Sequence, residues 1–263
     1  MRLFTTLILL LLIHPAIAEP LQCGDAPADA SRLAVAGGSL VEILYALKAE
    51  QQIVAVDQTA TFPPEATELP QIGYVRGISA EGLLSLQPTA VLGEHDMGPP
   101  AVVDQLSTLG VDLLLVPETF DLRGIKQKIR CVAAAVGRSE QGEALIADLD
   151  DGSTQPDANG SKTLLSDFKG MVLLGLHEGA PMAAGRNTSG AGFLAMAGMG
   201  NVLDFEGWKP LSIEAMAAAQ PDVIVIPERG VRMAGGIDAL LDHPAVRLTP
   251  AAKHRRVISM DGM

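Results

Sequence analysis

The sequence has 263 residues, of which 48% are hydrophobic and 19% are charged, so the chain is long enough to bury a substantial core and is not typical of a disordered protein. It has 19 Lys and Arg residues against 31 Asp and Glu residues, a formal net charge of −12, which argues against nucleic acid as a partner. Aromatic residues are scarce, and only two, Tyr45 and Tyr74, are tyrosines.

The N-terminus reads as a cleavable secretory signal peptide over residues 1–18. Arg2 is followed by an apolar run from Leu7 to Ile13 and by the small residues Ala16 and Ala18, which are typical of a cleavage site. The apolar run is much shorter than the roughly 20 residues needed to cross a bilayer. We therefore expect an exported, periplasmic protein.

The sequence contains two cysteines, Cys23 and Cys131. The residues before Cys23, Pro20 to Gln22, fit poorly with a lipid-attachment signal. The two cysteines could pair in an oxidising compartment, but they lie on elements of different character. We expect Cys131 instead to pack as a small apolar side chain within a helix.

Short apolar runs alternate with helical patterns along the chain, which predicts parallel α/β sheets. The predicted strands are Leu33–Ala36, Ile53–Val56, Ala90–Leu92, Leu113–Val116, Val172–Leu176, Val223–Ile226 and Val257–Met260. The predicted helices are Ser39–Lys48, Ser79–Leu86, Pro100–Leu109, Ser189–Gly198, Ser212–Ala219 and Ile237–Leu241.

An internal repeat indicates two related lobes. The segment Ile78–Thr89 matches Leu211–Asp222 about half a chain later, with Ser, Glu, Gln and Pro in the same places and an apolar strand after each copy. Between the copies, Leu122–Asp150 has helical periodicity and predicts one long helix, or two nearly collinear helices. We therefore expect an N-terminal lobe at 19–121, a connecting helix at 122–151, a C-terminal lobe at 152–263 and a ligand cleft between the lobes.

The segment Gln71–Ser79 carries the most informative chemistry. In extended backbone, Tyr74 and Arg76 would point to the same face. A guanidinium beside a phenol lowers the phenol's pKa, and tyrosinate is a known axial ligand of haem iron. The residues alone leave open that Tyr74 simply packs at the end of a strand.

Five segments in this order resemble the periplasmic haem-binding proteins of bacterial haem ABC importers, the HmuT-like class III substrate-binding proteins: Gly37–Leu47, Gly73–Gly82, Met182–Thr188, Lys209–Ser212 and Met260–Gly262. The resemblance implies two similar α/β lobes joined by a long interdomain helix. It also implies a monomeric binding protein, not an enzyme, that carries haem as its transported ligand to inner-membrane permease subunits.

The resemblance also implies roles for individual residues. Tyr74 would be the iron ligand, and Arg76 would support it. His177 follows a predicted strand and is either a second axial ligand or a surface histidine, while His95 is a second-rank candidate for the same position. Arg186 lies before a predicted helix and either meets a haem propionate or is an ordinary exposed arginine.

Glu81 and Glu214 occupy equivalent positions of the repeat, each two residues after a serine. Carboxylates in a first helical turn complement the helix dipole, and this alone could explain both. In related binding proteins such glutamates dock onto arginines of the permease, and we expect both residues to serve that role.

Two other functions stay open from the sequence. A protein of the same class could bind cobalamin or a ferric siderophore, and an enzyme that modifies haem could use His95 with Glu94 or Asp96 as an acid/base pair. No nucleophile elbow, zinc-protease motif or P-loop is present.

The chain stops at Met263, soon after the last predicted strand, where the relatives continue into a closing helix, so we expect a C-terminal lobe that is truncated at its end.

Overall fold

The computed structural model describes residues 22–154, 165–177 and 180–261, and within these ranges two sheets are each packed between helices. The elements of the first lobe are β1 (Leu33–Ala36), α1 (Gly38–Ala46), β2 (Ile53–Val56), α2 (Ala80–Ser85), β3 (Ala90–Glu94), α3 (Pro100–Thr108) and β4 (Asp112–Val116). The strands lie in the order β2-β1-β3-β4 and every pairing is parallel. This confirms the predicted parallel α/β architecture of the N-terminal half.

The second lobe follows the helices α4 (Leu122–Ala135) and α5 (Ser139–Thr154). Its elements are β5 (Lys169–His177), β6 (Ala180–Ala184), α6 (Ser189–Met196), β7 (Gly200–Asn201), β8 (Trp208–Pro210), α7 (Ile213–Ala219), β9 (Val223–Pro227), α8 (Glu228–Met233), α9 (Ile237–Asp242), α10 (Pro250–Lys253) and β10 (Val257–Met260). The order is β10-β9-β5-β6-β8, with β7 paired to β5.

The second sheet is parallel only in part, which the sequence did not predict. Strands β7 and β9 pair with β5 in parallel, and β10 pairs with β9 in parallel, whereas β6 pairs antiparallel with β5 and β8 pairs antiparallel with β6. The cause is a hairpin. Strand β6, which was not predicted, follows β5 directly, and His177 lies opposite Ala180. So short a connection between neighbouring strands permits only antiparallel pairing.

The segment predicted as one long helix or two collinear helices is instead a helical hairpin. Gly137, with φ of 68°, ends α4, and α5 then runs back along it. The ion pairs between Arg130 and Glu143 and between Lys126 and Asp150 join positions that approach in antiparallel order. Helical periodicity alone does not distinguish a straight helix from a helical hairpin, because the same positions along the chain are apolar in both.

Each sheet is covered by apolar side chains on both faces. In the first lobe, one cluster packs β1 and β2 against α1 and α4, and a second packs β1 and β3 against α2 and α3. Tyr45 is half-buried at the edge of the first cluster, as expected for a packing residue. Corresponding clusters cover β5 and β9 in the second lobe.

The internal repeat is visible in the backbone. In both copies a short helix, α2 or α7, is followed by a glutamine in the left-handed region and then by a buried strand, β3 or β9. Gln87 has φ of 50° and Gln220 has φ of 48°. The two-lobed fold class predicted from the sequence is confirmed, while the exact domain boundaries stay a prediction.

The expectation for the cysteines is wrong, because Cys23 and Cys131 form a disulfide with Cα atoms 5.4 Å apart. Cys131 is buried on α4, as predicted, but the segment that contains Cys23 lies against this helix and brings the two sulfur atoms together. A disulfide also leaves the Cys23 thiol unavailable for lipid attachment.

The two lobes touch where α6 meets the loop after β4. At Gly192 there is no room for a side chain, since a Cβ atom would lie 2.0 Å from the carbonyl oxygen of Phe120. In the described ranges, none of the helices is both long and apolar enough to span a membrane.

Candidate functional site

Polar residues gather at the edge of the first sheet where its strands end. Because β1, β2, β3 and β4 are parallel, the residues that follow them lie along one edge. These residues include Ser39, Asp57, His95, Asp96 and Glu118. The predicted Tyr74 segment is attached to this same edge.

Tyr74 lies at the start of a tight turn and not in the extended backbone that was predicted. The backbone N–H of Gly77 donates to the carbonyl oxygen of Tyr74 at 2.7 Å. Gly73, with φ of 98°, accepts a hydrogen bond from the N–H of Gln58 at 2.8 Å, which attaches the turn to the segment after β2. Tyr74 is 44% exposed, so it is not a core residue.

Tyr74 and Arg76 are in contact, as predicted, although the turn and not strand alternation brings them together. Nη1 of Arg76 donates a hydrogen bond of 2.5 Å to the phenol oxygen of Tyr74. The guanidinium carbon is 5.7 Å from the centre of the Tyr74 ring. A phenol oxygen can bind more than one partner, so the Tyr74 oxygen can still bind a second partner besides Arg76.

The other nitrogen of the Arg76 fork is held by Asp96. Nη2 of Arg76 donates to Oδ2 of Asp96, and the two side chains form an ion pair. Burial acts to lower the pKa of Arg76, but the hydrogen bond and charge of Asp96, together with the contact to Tyr74, outweigh it and raise that pKa. Arg76 therefore stays charged beside the phenol.

Asp57 anchors the turn, a role that was not predicted from the sequence. Its fully buried carboxylate accepts from the N–H groups of Gly37, Thr59 and Val75 at 2.9, 3.0 and 3.1 Å, and from the Thr59 hydroxyl at 2.9 Å. One side chain thus joins the ends of β1 and β2 to the residue after Tyr74. The available signal was an aspartate directly after a buried strand.

A buried lysine cluster lies at the same edge and was also missed. Nζ of Lys128 donates to Glu118 and, at 2.9 Å, to the hydroxyl of Ser39, and it lies 4.0 Å from Glu94. Ser39 in turn donates to Glu94 at 2.8 Å. Burial raises the pKa of the Glu94 carboxyl above its ordinary value, against the opposing effects of Lys128 and Ser39.

The three remaining candidate ligand residues are His95, His177 and Arg186. His95 is exposed, with Nδ1 3.6 Å from Glu118, which leaves Nε2 unoccupied by this contact. The backbone of His177 ends β5 at the hairpin, but its side chain lies outside the described part of the chain. Arg186 is exposed before α6, and its side chain has no hydrogen bond or ion pair within the described ranges.

Glu81 and Glu214 are exposed at the second position of α2 and of α7. Ser79 and Ser212 cap these helices, accepting from the N–H groups of Gly82 and Ala215. Hydrogen bonds from its own backbone N–H and from the Ser212 side chain lower the pKa of Glu214. The two sites are therefore alike in structure as well as in sequence.

A cavity of about 420 Å³ lies between the lobes. Helices α1, α4 and α5 line it from one side and α6 from the other, with apolar side chains such as Ile129, Leu145 and Met196. Its polar lining includes Ser39, Glu42, Glu118 and Lys128, whereas Tyr74 and Arg76 do not line it.

The model of the periplasmic binding protein family matches residues 33–262 of the sequence. The chain belongs to this family. Among solved structures, the periplasmic heme-binding protein RhuT from Roseiflexus sp. RS-1 is 36% identical with a TM-score of 0.78, over 88% of this chain and 89% of RhuT. A periplasmic heme-binding protein from Pseudomonas aeruginosa is 33% identical with a TM-score of 0.78, over 88% and 84% of the two chains. HutB of Vibrio cholerae, also a heme-binding protein, is 32% identical with a TM-score of 0.76, over 89% and 91%.

These matches confirm the resemblance seen in the motifs, and the family and these neighbours are binding proteins. Curated relatives carry a different ligand in their name. The vitamin B12-binding protein of Pectobacterium atrosepticum is 27% identical over 49% of this chain, and the match spans only 46% of that relative's length. The corresponding protein of Vibrio cholerae O395 is 25% identical over 78% of this chain and 73% of its own length.

Proposed function

We propose that this protein binds haem between its two lobes and delivers it to an ABC importer in the inner membrane. The observation that carries the proposal is the exposed Tyr74 phenol held by the charged Arg76. The similarity to solved periplasmic heme-binding proteins, at up to 36% identity over most of the chain, supports the same ligand.

Tyr74 offers an oxygen ligand of the type that holds haem iron as tyrosinate. Arg76 places its positive charge against this oxygen, where it would offset the negative charge of an iron-bound tyrosinate. The Tyr74 ring is exposed, so a large planar ligand can reach it without displacing the core. HmuT, a heme-binding protein of 26% identity, has been solved with alanine in place of a tyrosine, an arginine or a histidine, the residue types proposed here.

The other candidate ligand residues have supporting parts in this proposal. His177, or otherwise His95, would supply a nitrogen to the second axial position of the iron. Arg186 would meet a propionate, since it is an exposed arginine without a side-chain partner in the described ranges and lies beside the start of α6.

Titration with hemin tests the proposal, with matched tyrosine variants. Tyr74→Phe removes only the phenol oxygen, and we expect it to abolish the ferric tyrosinate type of Soret spectrum and to weaken binding by at least about tenfold. Tyr45→Phe makes the same change at the half-buried tyrosine of α1 and should leave the spectrum unchanged. An unchanged spectrum in Tyr74→Phe would rule out Tyr74 as the iron ligand.

Cobalamin is the second candidate ligand, because the curated relatives are vitamin B12-binding proteins. Cobalamin brings its own nitrogen ligands and does not need the pair formed by Tyr74 and Arg76. A competition titration with cyanocobalamin separates the two functions. Binding of cyanocobalamin that is tighter than that of hemin, and equal in wild type and Tyr74→Phe, would favour the second function.

We further propose that the protein is exported with residues 1–18 removed and acts as a monomer. Glu81 and Glu214 would dock onto the importer's permease subunits, since both are exposed at equivalent positions of the two lobes. Glu81→Lys and Glu214→Lys should abolish stimulation of the importer's ATPase in proteoliposomes without changing hemin affinity. Glu140→Lys, in the first turn of α5, is the control. Full stimulation by both charge reversals would contradict the docking role.

A further inference from the structure

We infer that Asp96 is a positioning residue that holds Arg76 against the phenol of Tyr74 and thereby sets how firmly the proposed iron ligand is presented. This inference deepens the proposed function and rests on it for its effect on haem. The geometry that carries it is a continuous chain of contacts, from the Tyr74 oxygen to Nη1 of Arg76 and from Nη2 to Oδ2 of Asp96.

Arg76 needs an external restraint. It lies on a surface turn, and its side chain is 55% exposed, so packing alone does not hold the guanidinium against the phenol. A free arginine side chain loses rotamer entropy when it is fixed in one position. The planar guanidinium can be held in one orientation when its two terminal nitrogens are bound to different partners. Asp96 is the second partner.

Asp96 is itself held in place relative to the Tyr74 turn. Its side chain is only 28% exposed, half the value of Arg76. The N–H of Met97 donates to the carbonyl of Glu94, which closes a turn around Asp96. The N–H of Gly98 donates to Val75 at 3.0 Å, and the N–H of Ile78 donates to Gly98 at 2.9 Å. These two bonds join the Asp96 turn to the Tyr74 turn, so the carboxylate is already in position before any ligand arrives.

The charge of Asp96 has a second effect. Its carboxylate offsets part of the positive charge that Arg76 presents to the phenol. Asp96→Asn retains an oxygen that can accept from Arg76 but removes the negative charge. Asp96→Ala removes both. The two variants therefore separate the restraint on Arg76 from the electrostatic effect on Tyr74.

The first measurement needs no ligand. The guanidinium of Arg76 should give a resolved, slowly rotating ¹⁵N signal in the wild-type protein, assigned by its absence in Arg76→Lys. We expect the signal to persist in Asp96→Asn and to average out in Asp96→Ala. Asp104→Asn, an exposed aspartate on α3, removes the same charge and should change nothing. An unaltered Arg76 signal in Asp96→Ala overturns the inference, even if the protein proves not to bind haem.

The second measurement is the rate of hemin transfer to excess apomyoglobin, read with the Soret spectrum. We expect Asp96→Ala to speed release by about tenfold, the effect of losing one charge-assisted hydrogen bond. In an Arg76→Ala background the same substitution should have no further effect, because Asp96 acts only through Arg76. An equal effect in both backgrounds overturns the inference. Asp96→Leu, which also cannot accept a hydrogen bond from Arg76 but fills more of the space, provides the same test should the alanine variant fail to fold.

Discussion

Replacing Asp57 by alanine perturbs the side chain that attaches the Tyr74 turn to the sheet. The carboxylate of Asp57 is fully buried and accepts four hydrogen bonds, two at each oxygen. The donors belong to three separate segments, which contain Gly37, Thr59 and Val75. Loss of this one side chain therefore affects both the core of the first lobe and the proposed ligand residue.

The expected magnitude follows from the donors that would be left without an acceptor. The N–H groups of Gly37 and Val75 are in buried surroundings, and each orphaned donor costs about 1–3 kcal/mol. The Thr59 groups are only partly buried and can turn to water. We expect Asp57→Ala to lower the free energy of unfolding by about 3–5 kcal/mol, a large part of the ~5–15 kcal/mol typical of a folded domain.

Urea denaturation measures this loss, and hemin titration of the same variant measures its effect on the site. Thr59→Val is the graded control, since it removes only the hydroxyl and should cost about 1–2 kcal/mol. Asp57→Asn should cost nearly as much as alanine, because its amide group would face backbone N–H groups that also donate. A loss below about 1 kcal/mol in both Asp57 variants would refute the anchoring role.

Three further predictions concern stability. Replacing Cys23 and Cys131 by serine should lower the free energy of unfolding by about 2–5 kcal/mol, because the disulfide closes a separation of 108 residues, and reduction of the wild type should give the same shift in a urea titration. Gln87→Gly should raise thermal stability by about 0.5–1 kcal/mol, since glycine adopts a φ of 50° without the penalty that glutamine has, and a lower melting temperature would contradict this. Burial raises the pKa of Glu94 above its ordinary value of 4.5, so between that value and the raised one the folded state binds more protons than the unfolded state, and stability falls as the pH rises through this interval. Glu94→Gln should therefore match the wild type at pH 4 and become the more stable protein towards pH 7, as followed by urea denaturation, whereas a constant difference across this range would contradict the assignment.

Much of the fold was predictable because it is encoded locally. The strands β1, β2 and β10 were predicted at their observed bounds, since short apolar runs between turn residues specify a buried strand. The repeat predicted two related lobes, and the order of five motifs identified the family. The contact of Tyr74 with Arg76 was also predictable, because the two residues are neighbours in the chain.

What the sequence determined by itself was therefore the set of elements, their alternation and one pair of adjacent functional side chains. Only the tertiary structure decided which distant residues meet. Cys23 pairs with Cys131, α5 folds back along α4, and Asp96 reaches Arg76 across two turns. The physical reason is that periodicity and turn propensity act over a few residues, whereas these contacts depend on how sheets and helices pack together. Lys128 shows the same limit, because a lysine within a helical pattern gives no sign of being buried until its partners are in place.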